Sequence, residues 1–193
     1  NLTSAESSDA LEATNNSVLL GLFRQGAPHN MAHMTAYEKI AGRKPASVMW
    51  YQDFSAGFPM ADARKVHEYG SVPHIVWEPW IWGDTAQDAT IRLDDLISGK
   101  WDKYMTRWAQ GAKKYGHPFF LRFAHEFNIE GYPWGVVNNG RNPEKYVKAW
   151  RHVHDLFAKA GANNAIWVWT FMNESWPQMP WNEWAKAYPG DKY

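Results

Sequence analysis

Residues 118 to 126 read Pro118-Phe119-Phe120-Leu121-Arg122-Phe123-Ala124-His125-Glu126. The run is short, apolar and aromatic, and a proline opens it, so it reads as a buried strand rather than an amphipathic helix. It ends on a histidine and a glutamate, which puts polar groups at the carboxyl end of that strand. If the strand stays regular, Arg122, Ala124 and Glu126 share one face while His125 takes the other. An unpaired carboxyl in such a place tends towards a raised pKa and can stay protonated near neutral pH, as a general acid must. Arg122 either pairs with Glu126 or with another inward acid, and the second arrangement leaves Glu126 free to protonate.

Four more strand-like runs flank this one, at residues 18–23, 47–52, 74–77 and 165–170. Helical patterns near 31–41, 60–68, 101–114 and 143–160 alternate with them, and Gly161 stands where the last helix would stop. That alternation implies parallel strands joined by crossover helices, an α/β chain. Strand starts at 18, 47, 74, 118 and 165 leave extra length after the third and fourth strands, where functional loops would go. Spacing alone favours an open doubly wound sheet. The strand tips favour the first five strands of a (β/α)8 TIM barrel, because nearly every tip carries polar or aromatic groups. Residues 1–17 are rich in Ser, Asn, Ala and Glu and read as a flexible N-terminal segment, with one domain over 18–193.

Composition narrows the function. The 193 residues carry 20 Lys+Arg against 20 Asp+Glu, a formal net charge of zero, which argues against a nucleic-acid partner. No apolar run approaches the ~20 residues of a membrane helix, so no membrane partner is expected. The absence of cysteine removes disulfides, thiolate nucleophiles and iron–sulfur clusters. Thirteen Trp, nine Tyr and nine Phe exceed what a core of this size needs, and flat rings suit sugar rings.

The strand tips deliver Trp50-Tyr51-Gln52-Asp53, then Trp77-Glu78-Pro79-Trp80, then Arg122 with His125-Glu126, then the segment from Thr170 to Glu174. Acids, an arginine, amides and Trp together suit glycosidic-bond hydrolysis, which uses one carboxyl as general acid and another as nucleophile or base. Glu126 is the candidate acid, with Gln52, Asp53, Glu78, Arg122 and His125 around it. Ion pairing is the expected role of Asp53 and Glu78 taken singly. Metal binding is the competing chemistry, but His152 and His154 face different ways on a helix, and His29 and His33 lack a third ligand. No metal and no cofactor are expected.

The run from Leu121 to Asn128, followed by Gly131-Tyr132-Pro133-Trp134-Gly135, resembles the fourth-strand signature of glycoside hydrolase family 26. Trp77-Glu78-Pro79-Trp80, Trp50-Tyr51-Gln52 and Tyr188-Pro189-Gly190-Asp191 resemble that family as well, so the likeness spans about residues 18–193. The resemblance implies a (β/α)8 barrel of the retaining clan, and it displaces the open-sheet expectation. It implies Glu126 as acid/base with His125 and Tyr132 shaping the site, Trp134 as a sugar-stacking platform, and Glu78 and Trp80 as contacts on the non-reducing side. Trp176, Trp181 and Trp184 extend the cleft or pack their segment against the barrel. The family's nucleophile, a glutamate ending the seventh strand, has no counterpart in these residues, nor do the last three strands, on the order of 80–100 residues. A C-terminal remainder of the barrel, in the same polypeptide or a second chain, is therefore expected.

The expected activity is a retaining endo-β-glycanase on β-1,4-linked polysaccharide, with mannan or glucomannan first and mixed-linkage β-1,3-1,4-glucan (lichenase activity) close behind. The rival is a non-catalytic carbohydrate-binding fragment. Secretion follows only from where such polysaccharides lie. Three sequons, at Asn1, Asn15 and Asn173, carry little weight. Asn173 would stand beside the cleft as a substrate contact, so it is expected to carry no glycan.

Overall fold

The computed structural model describes residues 18–193; the lead-in over 1–17 and its sequons at Asn1 and Asn15 lie outside them. Five strands, β1 (Gly21–Phe23), β2 (Ser47–Asp53), β3 (Val72–Glu78), β4 (Phe119–Phe123) and β5 (Ala165–Trp167), form one sheet in the order β1-β2-β3-β4-β5. Every neighbouring pair is parallel. A doubly wound sheet reverses its strand order at a switch point, and this sheet never does. With right-handed crossovers, an order that never reverses puts every helix on one face and coils the sheet into a barrel wall. The open-sheet expectation from spacing is corrected by that order.

Side-chain alternation gives the wall two faces. The register pairs Trp50 with Ile75, Ile75 with Leu121 and Leu121 with Trp167, and of that row Trp50, Ile75 and Leu121 are fully buried. Gln52, Trp77 and Phe123 extend the same row, and Trp77 stacks on Trp108 at 4.4 Å and meets Phe157 at 5.8 Å. The opposite row runs Tyr51, Val76, Arg122 and, one step further, Asp53 and Glu78. This inner row carries the chemistry.

The helices are α1 (Ala32–Ala41), α2 (Met60–Tyr69), α3 (Leu93–Ile97), α4 (Asp102–Tyr115) and α5 (Pro143–Ala160). In α5 the Asn142 side chain accepts the Glu144 N–H, Pro143 opens the first turn, and Gly161 closes the helix at a left-handed φ of 73°. Its buried residues Tyr146, Ala149, Trp150, Val153 and Phe157 recur every three or four positions. Met105, Trp108, Ala109, Ala112 and Tyr115 do the same in α4. Only α3, inside the long segment after β3, has no forerunner in the periodicity. Its five residues are too few to show a repeat.

Candidate active site

β4 ends at Phe123, and the backbone then turns through left-handed conformations at Ala124 (φ 45°) and Glu126 (φ 53°). Neither residue is a glycine, so the turn stores strain that its surroundings must hold. Ala124 N–H donates to the Trp77 carbonyl, and Tyr146 OH donates to the Ala124 carbonyl. Trp134 Nε1 donates to the His125 carbonyl at 2.7 Å, and Glu126 N–H reaches the Thr170 carbonyl at 3.1 Å. Next to them, Asn128 ties the segment after β5 to this turn. It donates to the Met172 carbonyl at 2.8 Å and to Ser175 Oγ at 3.1 Å, and it accepts the Met172 N–H at 2.8 Å.

This turn corrects the regular alternation expected for residues 122–126. Both His125 and Glu126 join the site. Arg122 Nη2 donates to Glu126 Oε1 at 3.2 Å, and Arg122 Nε donates to Thr170 Oγ1 at 2.7 Å. Of the two pairings open to Arg122, the structure shows the one with Glu126 itself rather than with another inward acid, and the Glu126 side chain is still one-quarter exposed. His125 is fully buried, and burial together with the Arg122 charge pushes it down to about 3, so its ring is neutral. Its Nε2 lies 3.1 Å from Tyr132 OH and 3.9 Å from Glu78 Oε1. Burial, Glu126 and Glu78 push the Tyr132 hydroxyl up to about 12.

Glu78 and Asp53 depart from the expected ion pairs. Glu78 Oε2 accepts the Trp82 indole N–H at 2.8 Å and the Trp80 indole N–H at 3.2 Å. Asp53 accepts from Ser55 N–H at 3.1 Å, from Ser55 Oγ and from Trp82 N–H at 2.8 Å. Both carboxyls are buried, and neither has a lysine or arginine within ion-pair distance among the described residues. Burial raises the Glu78 pKa; the two indole hydrogen bonds oppose the rise and Asp53 adds to it.

Two expected contacts sit elsewhere. Trp134 is buried, stacked under Tyr132 at 4.5 Å and 8°, so its ring offers no face to a sugar and the half-buried Tyr132 is the outer ring of that stack. Gln52 lies on the helix side with Trp77, while its neighbour Tyr51 faces the site. Strand alternation separates the two, because positions 51 and 53 share a face that 52 does not. Asn173 and Trp176 are exposed on the segment after β5, and Trp176 is 60% exposed. Trp80 is half-buried, at 5.5 Å from Trp134. Thr170, from the strand-tip segment read in the sequence, and Asn128, from the family-like run, also belong to the site, and Trp82 is brought there by the fold alone. Among the described residues no group of three or more His, Asp or Glu is placed to hold a metal. His29 pairs instead with Asp62 at 3.0 Å, and Arg24 Nε donates to His33 Nδ1 at 3.2 Å.

A carboxylate held by arginine at the carboxyl end of a barrel strand, ringed by Tyr and Trp, can exchange a proton with a bound hydroxyl or ether oxygen. The chain matches the family model for glycosyl hydrolase family 26 over residues 72–193. It is 33% identical over 174 residues to Endoglucanase H of Acetivibrio thermocellus, a match covering 87% of this chain and 18% of that protein. Among solved structures it resembles the mannanase man26 of Bacillus subtilis (20% identity, TM-score 0.65, 94% of this chain and 62% of that one). It also resembles a β-mannanase from a symbiotic protist of the termite Reticulitermes speratus, solved with a gluco-manno-oligosaccharide (19% identity, TM-score 0.61, 90% and 61%). The chain therefore spans less than a fifth of the endoglucanase and about three-fifths of the two solved chains.

Proposed function

Because the chain belongs to glycosyl hydrolase family 26, we propose that it carries the acid/base half of a retaining endo-β-glycanase cutting a β-1,4-linked polysaccharide. Glu126 is the acid/base. It protonates the glycosidic oxygen as the sugar leaves, then takes a proton from the water that hydrolyses the glycosyl-enzyme intermediate. The nucleophile is a carboxylate about 5–5.5 Å away, as retention requires, supplied from a strand beyond β5. The observation that carries this reading is the Glu126 carboxylate, one-quarter exposed and held by Arg122, on a strained turn at the carboxyl end of β4.

The preferred main chain is a β-glucan, including the mixed-linkage type, since the relative at 33% identity is named an endoglucanase while the mannanases stand at 19–20%. Mannan or glucomannan is the second reading, supported by the mannanases among the similar solved structures. Trp176 extends the cleft, and secretion fits a substrate outside the cell.

The test uses the full-length polypeptide and reducing-end release from mixed-linkage glucan and glucomannan. Glu126→Gln is expected to cut turnover of unactivated polysaccharide by at least 10³-fold while leaving oligosaccharide affinity within a few-fold. Unchanged turnover in that variant removes Glu126 from the role. Binding by the parent protein without any release of reducing ends favours a carbohydrate-binding module instead.

A further inference from the structure

Asn182 ends a short 3-10 turn at Pro180–Asn182, and neither periodicity nor motif draws attention to it. It is nevertheless buried, as is Asn128, two residues past Glu126. The Asn182 side chain donates through Nδ2 to the Asn128 carbonyl at 2.9 Å and to the Pro177 carbonyl at 3.0 Å, and the Asn182 carbonyl accepts the Ser175 hydroxyl at 2.7 Å. The Asn128 carbonyl also accepts the Trp176 N–H at 2.8 Å. Together with the bonds from the Asn128 side chain to Met172 and Ser175, two buried amides lock the segment after β5 to the turn that carries Glu126. A buried polar network is rigid when satisfied and costly when one member is lost. The turn needs such ties, because Ala124 and Glu126 are held in left-handed conformations that neither side chain favours.

We propose that Asn182 is a positioning residue for the acid/base, fixing through Asn128 the turn on which the Glu126 carboxylate stands. Asn182 is only 2% exposed, so it reaches a substrate only through what it holds. Two carbonyls face its side chain, which demands an NH2 group there and makes the amide, rather than a hydroxyl or a methyl, the group that fits. What it holds is close to the chemistry: the Phe127 carbonyl accepts the Val136 N–H at 2.8 Å on one side of the turn, and the amide pair secures Asn128 on the other. Misplacing a reacting group by about 1 Å costs on the order of 10²-fold in rate, so a loosened turn is felt in turnover before it is felt in binding. The same network also fixes the backbone of Trp176, which would be felt in binding instead.

The proposal rests on the glycanase reading, and the experiment separates the two. Rates of the full-length parent and its variants are measured on polysaccharide and on dinitrophenyl β-cellobioside and β-mannobioside. Dinitrophenolate leaves without being protonated, so kcat/KM on these glycosides does not depend on where an acid stands. Asn182→Ala is expected to lower kcat on polysaccharide about 30-fold with KM within about threefold, while kcat/KM on the aryl glycosides falls less than about threefold. Ser175→Ala removes two bonds of the same network and keeps both amides. It should show the same split at about fivefold, and it carries the test if circular dichroism shows that Asn182→Ala does not fold. Glu126→Gln combined with Asn182→Ala is expected to be no slower on polysaccharide than Glu126→Gln alone, whereas additive losses overturn the positioning role. Equal losses on both kinds of substrate overturn it too, since a merely structural network damages both alike. A raised KM on polysaccharide with kcat intact assigns Asn182 to Trp176 instead, and parental kinetics in the folded variants remove it from any role. Each of these leaves the glycanase reading intact; a parent protein that cleaves neither kind of substrate overturns both.

Discussion

Burial leaves two inner-row histidines uncharged. Besides His125, the ring of His74 is pushed down to about 4, from an ordinary 6.5, by desolvation and then by the Arg122 charge, and its Nε2 is a buried nitrogen with no partner. The unfolded chain therefore binds more protons than the folded one between pH 6.5 and about 4, and stability falls as pH drops through that window. A shift of this size is worth on the order of 3 kcal/mol at its limit. His74→Gln is expected to flatten the acid side of the stability profile without altering the neutral plateau by more than ~1 kcal/mol, read from urea midpoints at pH 4.5 and 7.5. An unchanged slope removes His74 as a contributor. Glu78 acts with the opposite sign, because its raised carboxyl costs stability as pH rises above the unfolded value. At this scale the sequence showed Glu126, Arg122 and His125, since strand and motif named them together. It misjudged Trp134 and Gln52. A tryptophan in a loop can be platform or filler, and only the Tyr132 stack decides between them. Trp82 was out of reach because its link to Glu78 and Asp53 depends on a loop fold without periodicity.

At the level of elements, period-2 and period-3.6 patterns carried nearly all the information. The expected helix at 143–160 coincides with α5 because it has an Asn cap, a proline in the first turn and a terminating glycine. Strand ends were less legible: pairing in β5 stops at Trp167 rather than 170, although Val168 N–H still reaches the Leu121 carbonyl. What lengthens or shortens a strand is its neighbour, which local sequence does not contain. The α5 cap makes a test at this scale. Asn142→Ala leaves the Glu144 N–H without its acceptor and is expected to cost about 1 kcal/mol, or some 2–4 °C in Tm. Asn142→Asp keeps the acceptor and adds a favourable charge at the helix N-terminus, so it should restore the loss. Equal melting of parent and Asn142→Ala shows that the helix is held by packing alone. The packing that would do so is the deep burial of Trp150, Val153 and Phe157.

For the whole molecule, the decisive feature is that, among the described residues, β1 and β5 each have only one neighbour in the sheet. In a closed barrel such edges vanish. In the 193-residue chain they coincide with exposed apolar groups: Leu19, Leu20 and Phe23 on the β1 side, and Trp184 and Tyr188 following β5. The balance of 20 basic and 20 acidic groups supplies no net repulsion to keep such surfaces apart. The 193-residue chain produced alone is therefore expected to bind a hydrophobic dye strongly and to run heavier than 22.3 kDa in light scattering as concentration rises. A polypeptide that also carries three further strand–helix units should lose both behaviours, because new strands would pair with β5 and β1 and cover the inner row from Phe23 to Arg122. Sequential strand order makes this a prediction about closure rather than mere solubility, since a sheet wound in one direction has a defined place for the next strand. A 193-residue chain that remains a 22.3 kDa monomer with little dye binding would mean that its edges are sealed some other way, and the barrel would not need completing for the sheet to be stable.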